Sequence, residues 1–536
     1  MTALLLALTP LTPLLMVAAL AVPALRAGVL RLLWLAPLPG LACALLAHGS
    51  EPFVTYARVR LMLALDGPSA LLLGAAALLW CAASVYAQAY MAKDGLARFA
   101  GWWLPTMAGS LGVFVAGDLV SFYLVYALAS LPAWGLVIHD RTARAWSAGA
   151  TYILLTVIGE AALLAAFALL AASTPGSTLA IAEVLPHLKD SPLRDLTIGF
   201  LILGFGLKAG LVPLHVWLPL AHPAAPMPAS AVLSGAIIKA GVIGLIRFLP
   251  FEVTPPGWGE ALAAIGFVTA FWGVLIGITQ RNPKTVLAYS SVSQMGVVTA
   301  AIGMGIAGGI ATTPFAAGFY ALHHVLAKGA LVLAVGVAAT SGGAARVWVI
   351  APAVVLALGF GGMPLTGGWL AKEAVKAELG SGLVGMLAAL SAAGSTLLML
   401  HFARRLAAGC ASDTDARPPA MLLAPWLGLA AAAVLLPWLL FGAALADILT
   451  AEALLKALWP VLGGVALAAA LGWAGDRVPE VPGGDIIVPG RHALRLAAPL
   501  GSLLGRMETA LRAWPAAGMA LLALIAALGL AMGARP

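Results

Sequence analysis

Twelve ionisable side chains fall inside stretches otherwise apolar enough to cross a membrane: Asp118, Glu160, Lys208, His215, His222, Lys239, His323, His324, Lys328, Lys372, Glu373 and His401. Such groups are costly at bilayer depth and persist where they move ions or pair with one another. Lysine, histidine and glutamate all take up and release protons, so the chemistry they point to is passage of protons, or of sodium ions, along a buried row. Lys208 lies in LILGFGLKAGLVPLHVWLP, mid-span and just before Pro213. Proline removes a backbone donor and breaks the helix beside the lysine, and broken backbone at that depth survives only where it lines a cavity or protein interior. His215 and His222 follow closely, and Lys239 stands in the middle of the next span. His324 and Lys328 are four residues apart and share one helix face. Lys372 follows a second break, GFGGMPLTGGWLAKEAV, five spans after the first. Paired broken helices with charged groups mark the sites of transporters built from repeats. The competing reading for each lysine is structural: a side chain that snorkels, or that bonds carbonyls freed by the break.

The elements that must position these groups are membrane helices. The chain has 536 residues, 62% of them hydrophobic and 9% charged, with mean hydropathy +1.02. A soluble domain carries about 25% charged residues. Alanine, leucine and glycine dominate, which favours close-packed helices over the short alternating segments of a β-barrel. Apolar runs near 3–23, 28–48, 68–91, 101–117, 119–138, 148–172, 196–218, 228–250, 259–279, 287–310, 314–340, 349–375, 380–404, 420–446, 455–474 and 514–533 predict an all-α polytopic protein of 14–16 spans. The first run lacks a basic leader and reads as a membrane helix rather than a cleaved signal. The formal charge of +8 resides at run edges, not in a nucleic-acid-binding domain. Cys43, Cys81 and Cys410 are scattered, so no metal site, cofactor site or disulfide framework is expected.

Odd-numbered loops hold Arg26 and Arg31, Lys93 and Arg98, Arg141 and Arg144, Arg281 and Lys284, Arg346, and Arg404, Arg405 and Arg417. Even-numbered loops are poorer, with Arg58, Arg60 and Arg194 the main exceptions. The positive-inside rule then places the odd loops, and the Arg-rich 475–513 segment, in the cytoplasm and both termini outside. Within that segment a stretch from Arg491 to Arg512 is amphipathic and predicts a helix lying along the membrane.

The run Gly206–Phe248, GLKAGLVPLHVWLPLAHPAAPMPASAVLSGAIIKAGVIGLIRF, resembles the antiporter-like membrane subunits of respiratory complex I, Mrp-type cation/proton antiporters and membrane-bound hydrogenases. QRNPKTVLAYSSVSQMG (Gln280–Gly296), HHVLAKGAL and PLTGGWLAKEAV are similar to further motifs of that family, in the same order from about Gly117 to Lys376. The resemblance implies two inverted five-helix repeats, at 117–250 and 251–405, after N-terminal helices at 1–116 and before C-terminal helices at 406–536. It also implies a polar axis through Lys208, Lys239, His324 and Lys328, with Lys372 near the far exit. The family pairs its first lysine with a glutamate on the fifth span; here DLVSFYLVYALASLP puts Ala127 in that place. Glu160, central in the next span, is the carboxylate expected to replace it. The chain is too short between 475 and 513 for the long in-plane arm of the largest complex I antiporter subunit, so an Mrp or hydrogenase type, or a free-standing relative, fits better.

The expected protein is thus a proton- or sodium-translocating subunit of the inner (plasma) membrane. Its row is Glu160, Lys208, His215, His222, Lys239, His324, Lys328, Lys372 and Glu373, its partners are other membrane subunits, and it has no redox chemistry of its own. Two other classes remain open. One is a proton-conducting partner that energises a cytoplasmic enzyme, as in inorganic-carbon uptake; the other is a non-conducting structural subunit.

Overall fold

The computed structural model of the chain describes residues 1–55, 61–91, 93–176, 178–251, 256–441, 449–474 and 479–487. The chain divides into a unit spanning Met1–Gly483 and a second spanning Gly484–Pro536. The amphipathic stretch 491–512, the last predicted span at 514–533, and Arg58 and Arg60 lie outside the described residues.

The first unit is helical. α1 (Thr2–Ala21) is followed by α2 (Pro23–Arg31) and α3 (Leu38–Leu46). The single run predicted at 28–48 falls on a pair bent by 65° between Arg31 and Leu33. A minimal hairpin, β1 (Phe53–Val54) with β2 (Met62–Leu63), precedes α4 (Gly67–Tyr90), α5 (Lys93–Val115), α6 (Leu119–Ser130), α7 (Ala133–Val137), α8 (Ala143–Ser173) and the single turn α9 (Ile181–Val184). The first broken span is α10 (Arg194–Ala209) plus α11 (Trp217–Ala224), and the next is α12 (Met227–Val232) plus α13 (Lys239–Phe248). α14 (Trp258–Gly277), α15 (Pro283–Gly308) and α16 (Thr313–Ala338) are continuous. The second broken span is α17 (Ala345–Gly361) plus α18 (Gly367–Ala374), trailed by the single turn α19 (Lys376–Leu379). α20 (Gly382–Ala408), α21 (Ala420–Phe441) and α22 (Ala451–Ala474) complete the unit.

Among the described residues twelve helices are long and apolar enough to cross a membrane, thirteen with the bent pair. Each apolar run predicted before residue 475 has a helical counterpart. The runs at 196–218 and 349–375 are interrupted at the two glycine–proline stretches, as expected. The span Met227–Phe248 and α15 are wholly buried and α16 nearly so, whereas α1 and α22 are peripheral. The polar groups therefore cluster on the most enclosed helices. α14 and α15 are drawn together by small residues: a Cβ on Gly259, Gly266 or Gly273 would meet α15 backbone at 2.6, 2.4 and 2.6 Å. Gly296 and Gly303 answer from the other side, the small-residue packing that lets membrane helices approach without a hydrophobic driving force.

Loops that the alternation of charge assigns to one side do meet. Gly342 donates to the Ala416 carbonyl, Arg281 pairs with Glu480, and Lys284 donates to the Ala225 carbonyl. On the other side Asp118 bridges to Ala180 and accepts from Met62, and Arg247 pairs with Asp66. Asp118 also accepts from the backbone of Val120 and Ser121, so it is the cap of α6.

Candidate ion-translocation row

Both breaks are built by the same local chemistry. Gly210 adopts a left-handed conformation (φ 83°) after α10, with Leu211 N–H donating to the Gly206 carbonyl and Gly210 N–H to Leu207. Gly362 (φ 87°) ends α17 with the matching pair, Met363 to Leu358 and Gly362 to Gly359. This double bond is the Schellman ending, which glycine adopts without steric cost. A proline, Pro213 or Pro364, follows within three residues and bars continuation. At the second break Leu365 also takes a positive φ of 67°. Such backbone strain concentrates where the surrounding structure over-determines it, often at functional sites. The lysines are not placed alike: Lys208 is in the last turn before its break, and Lys372 lies beyond its own, in α18.

Lys208 is 3% exposed. Its ammonium stands over the rings of Tyr126 and Tyr152 at 5.4 and 5.7 Å from their centroids, within cation–π range. Tyr126 belongs to α6 and immediately precedes Ala127. Tyr152 belongs to α8, and its hydroxyl donates to the Ser130 carbonyl at 2.9 Å. α8 and α10 touch at Gly159 and Gly204, where a Cβ on Gly204 would lie 2.9 Å from the Gly159 carbonyl. Glu160 therefore stands at the crossing one turn from Lys208. They form no direct ion pair, and Glu160 Oε1 is buried with no hydrogen-bond partner. Trp217 Nε1 donates to the Leu207 carbonyl at 2.9 Å and helps satisfy the broken end.

The second group is in direct contact. Lys239 Nζ and His324 Nδ1 are 2.8 Å apart, both fully buried. One helix turn further, Lys328 Nζ donates to the Leu287 carbonyl at 3.3 Å and lies 4.7 Å from the centroid of Phe360. Immediately before Lys239 the backbone widens into a π-segment, Leu233–Ile237, an irregularity frequent at functional sites. In it, Ser234 Oγ meets Ser291 Oγ at 2.8 Å. α10 and α13 approach at Gly241, whose Cβ would meet the Phe205 carbonyl at 2.5 Å. Among the described residues no hydrogen bond joins Lys208 to Lys239 directly.

His222 is buried, with Nδ1 3.0 Å from Ser230 Oγ and Nε2 without a partner. His215 is buried with its ring 6.2 Å from that of Tyr289. His323 packs 5.4 Å from the ring of Phe360 and against the glycines that open α18. His401 contacts the Gln280 carbonyl at 2.7 Å and ties α20 to the α14–α15 loop. Lys372 is half-buried, its stem against Gly362, and with Glu373 and Lys376 it lines a cavity of about 150 Å³. Glu373 pairs with Lys376 at 2.8 Å.

Sequence reading missed several buried polar groups, among them Lys284, Gln294, Tyr320 and Glu378. Lys284, assigned to a loop, is 7% exposed, with its ammonium turned inward to the Ala225 carbonyl. Its position beside Arg281 made it indistinguishable from a topogenic charge. Gln294, Tyr320 and Glu378 are likewise buried. The first two are neutral and invisible to a search for charge, and Glu378 lies at a span end.

Residues 116–399 match the family described as NADH:quinone oxidoreductase/Mrp antiporter, TM. Hydrogenase-4 component B of Escherichia coli (strain K12) is 31% identical over 290 residues, 52% of this chain and 43% of that protein. Na(+)/H(+) antiporter subunit A1 of Staphylococcus haemolyticus (strain JCSC1435) is 31% identical over 315 residues, 54% of this chain and 39% of its own. These matches thus span less than half the length of the curated relatives. A chain of the Mrp complex from Dietzia sp. DQ12-45-1b is similar with a TM-score of 0.71 at 22% identity, over 100% of this chain and 62% of that one. A chain of the membrane-bound sulfane sulfur reductase, an archaeal respiratory membrane complex, gives 0.74 at 22% identity, over 98% and 100%. At that identity the likeness is one of fold. The family match, by contrast, takes in more than half of the chain and both broken spans, and the protein belongs to the NADH:quinone oxidoreductase/Mrp antiporter transmembrane family.

Proposed function

We propose that the chain is a proton-translocating, antiporter-like subunit that works within a larger assembly of the inner (plasma) membrane. The observation that carries this reading is the 2.8 Å contact between Lys239 and His324, with Lys328 one turn away, all fully buried. Two coupled basic groups with no acidic partner cannot both hold charge cheaply, so a change on one drives a proton from the other. The row then runs from Glu160 and Lys208, past His215 and His222, to Lys239, His324 and Lys328, and toward Lys372 and Glu373. Glu160 serves as the carboxylate for Lys208 in place of the residue absent at Ala127. The identical glycine endings of the two broken spans, five spans apart, support repeats at 117–250 and 251–405. Relatives named as a hydrogenase component and an antiporter subunit, and folds found in membrane complexes, support other membrane subunits as partners. Any redox module or cytoplasmic enzyme would be such a partner, and this chain contributes the ion path.

The test is proton flux in liposomes containing the assembly purified through a tag on this chain. Lys239→Ala is expected to slow flux by about 100-fold, the scale on which a positioned proton donor matters. Wild-type flux in that variant would sink the reading. A non-conducting structural role is favoured by Ala127, and it predicts no flux from the wild type either.

A further inference from the structure

The central helix α16 sets two polar groups that this row does not use, Thr313 and Tyr320, in line with two that it does. Thr313, Tyr320, His324 and Lys328 follow one another at seven, four and four residues, one stripe on a helix of 3.6 residues per turn. The stripe runs from the first residue of α16 over about 22 Å, and each member is buried and engaged. His324 meets Lys239 at 2.8 Å. Tyr320 donates to Gln294 Oε1 at 2.6 Å, and Gln294 Nε2 donates to Ser395 Oγ at 2.9 Å. Thr313 Oγ1 donates to Glu378 Oε1 at 2.7 Å. Glu378 is 4% exposed, forms no ion pair among the described residues, and keeps Oε2 buried with no hydrogen-bond partner. A carboxylate so enclosed and half-satisfied is costly unless it does something. Its neighbours Lys376, Leu379 and Gly380 line the Lys372 cavity. The face where Thr313 and Glu378 meet holds the even-numbered loops, opposite the arginine-rich ones.

We propose that Glu378 is the proton-release group of the chain. The inference rests on the proton-conducting reading and gives it an exit along α16, distinct from Lys372. A proton leaving the imidazolium of His324 is carried by water along this stripe, the Tyr320–Gln294 hydrogen bond staying intact, and protonates the Glu378 carboxylate at Oε2. It then leaves to water on the outer face, and no covalent bond other than to the proton is made or broken. Thr313 holds Oε1 and so aims Oε2.

The test uses the full chain in lipid and two readouts. Infrared difference spectra across a pH titration, recorded in a Glu160→Gln background to remove the row's other buried carboxyl, are expected to contain a protonated-carboxyl band that Glu452→Gln, an exposed control, leaves in place. That band should vanish in Glu378→Gln and move to higher frequency in Thr313→Val, which removes the hydrogen bond to Oε1. Proton flux should fall about tenfold in Glu378→Gln and be largely restored in Glu378→Asp. A band that survives in Glu378→Gln, or flux unchanged there while Lys239→Ala abolishes it, overturns the role of Glu378 alone. A wild type that passes no protons overturns the functional reading, and the infrared titration then decides whether Glu378 exchanges protons.

Discussion

At the scale of single residues, the first lysine poses the sharpest question. Its family glutamate is missing at Ala127, and the side chain is caged instead by Tyr126 and Tyr152, with Glu160 across the α8–α10 crossing. An unpartnered Glu160 Oε1 has more to gain as an ion-pair member than as packing. Glu160→Gln is therefore expected to slow proton flux by about tenfold while leaving the detergent-solubilised protein as heat-resistant as the wild type. Unchanged flux would return Glu160 to a structural role. Lys208, Lys239, His324 and Lys328 are legible in the sequence because membrane insertion penalises charge so strongly that each survivor stands out. Lys284 is not, since its run-edge position is where harmless lysines also sit. Tyr320 and Gln294 are not either, because their polarity costs too little to be conspicuous.

At the scale of elements, glycine governs how close helices come. Gly266 is held against α15 so tightly that a Cβ would lie 2.4 Å from the Ala300 nitrogen. Gly266→Leu should force α14 and α15 apart, cost about 3 kcal/mol or more, and sharply lower the yield of monodisperse protein in size-exclusion chromatography. A normal yield and melting temperature would show that the hairpin tolerates separation. The interruptions at Gly210 and Gly362 were legible beforehand, since glycine followed by proline stops a helix by local sterics alone. The π-segment before Lys239 and the bend between α2 and α3 were not. Both arise where packing against neighbours outweighs the regular i to i−4 ladder.

At the scale of the whole molecule, the alternating loops meet in two separate sets, as the distribution of arginine and lysine requires. In a variant free of Cys43, Cys81 and Cys410, Asp415→Cys should react with a membrane-impermeant maleimide only from the cytoplasm. Lys189→Cys should react only from outside. The reverse pattern would invert the direction assigned to the row and to Glu378. By itself the sequence determined that the chain is a helical membrane protein, where its spans fall, where two of them break, and which basic groups lie at depth. These follow from local rules, the cost of charge in lipid and the backbone limits of glycine and proline. Only the tertiary structure decided that Lys239 touches His324, that Lys208 is caged by tyrosines, that Lys284 turns inward, and that Glu378 ends the stripe on α16. Those outcomes depend on which faces of distant helices are pressed together, and small residues such as Gly159, Gly204 and Gly241 decide that only once both partners are in place.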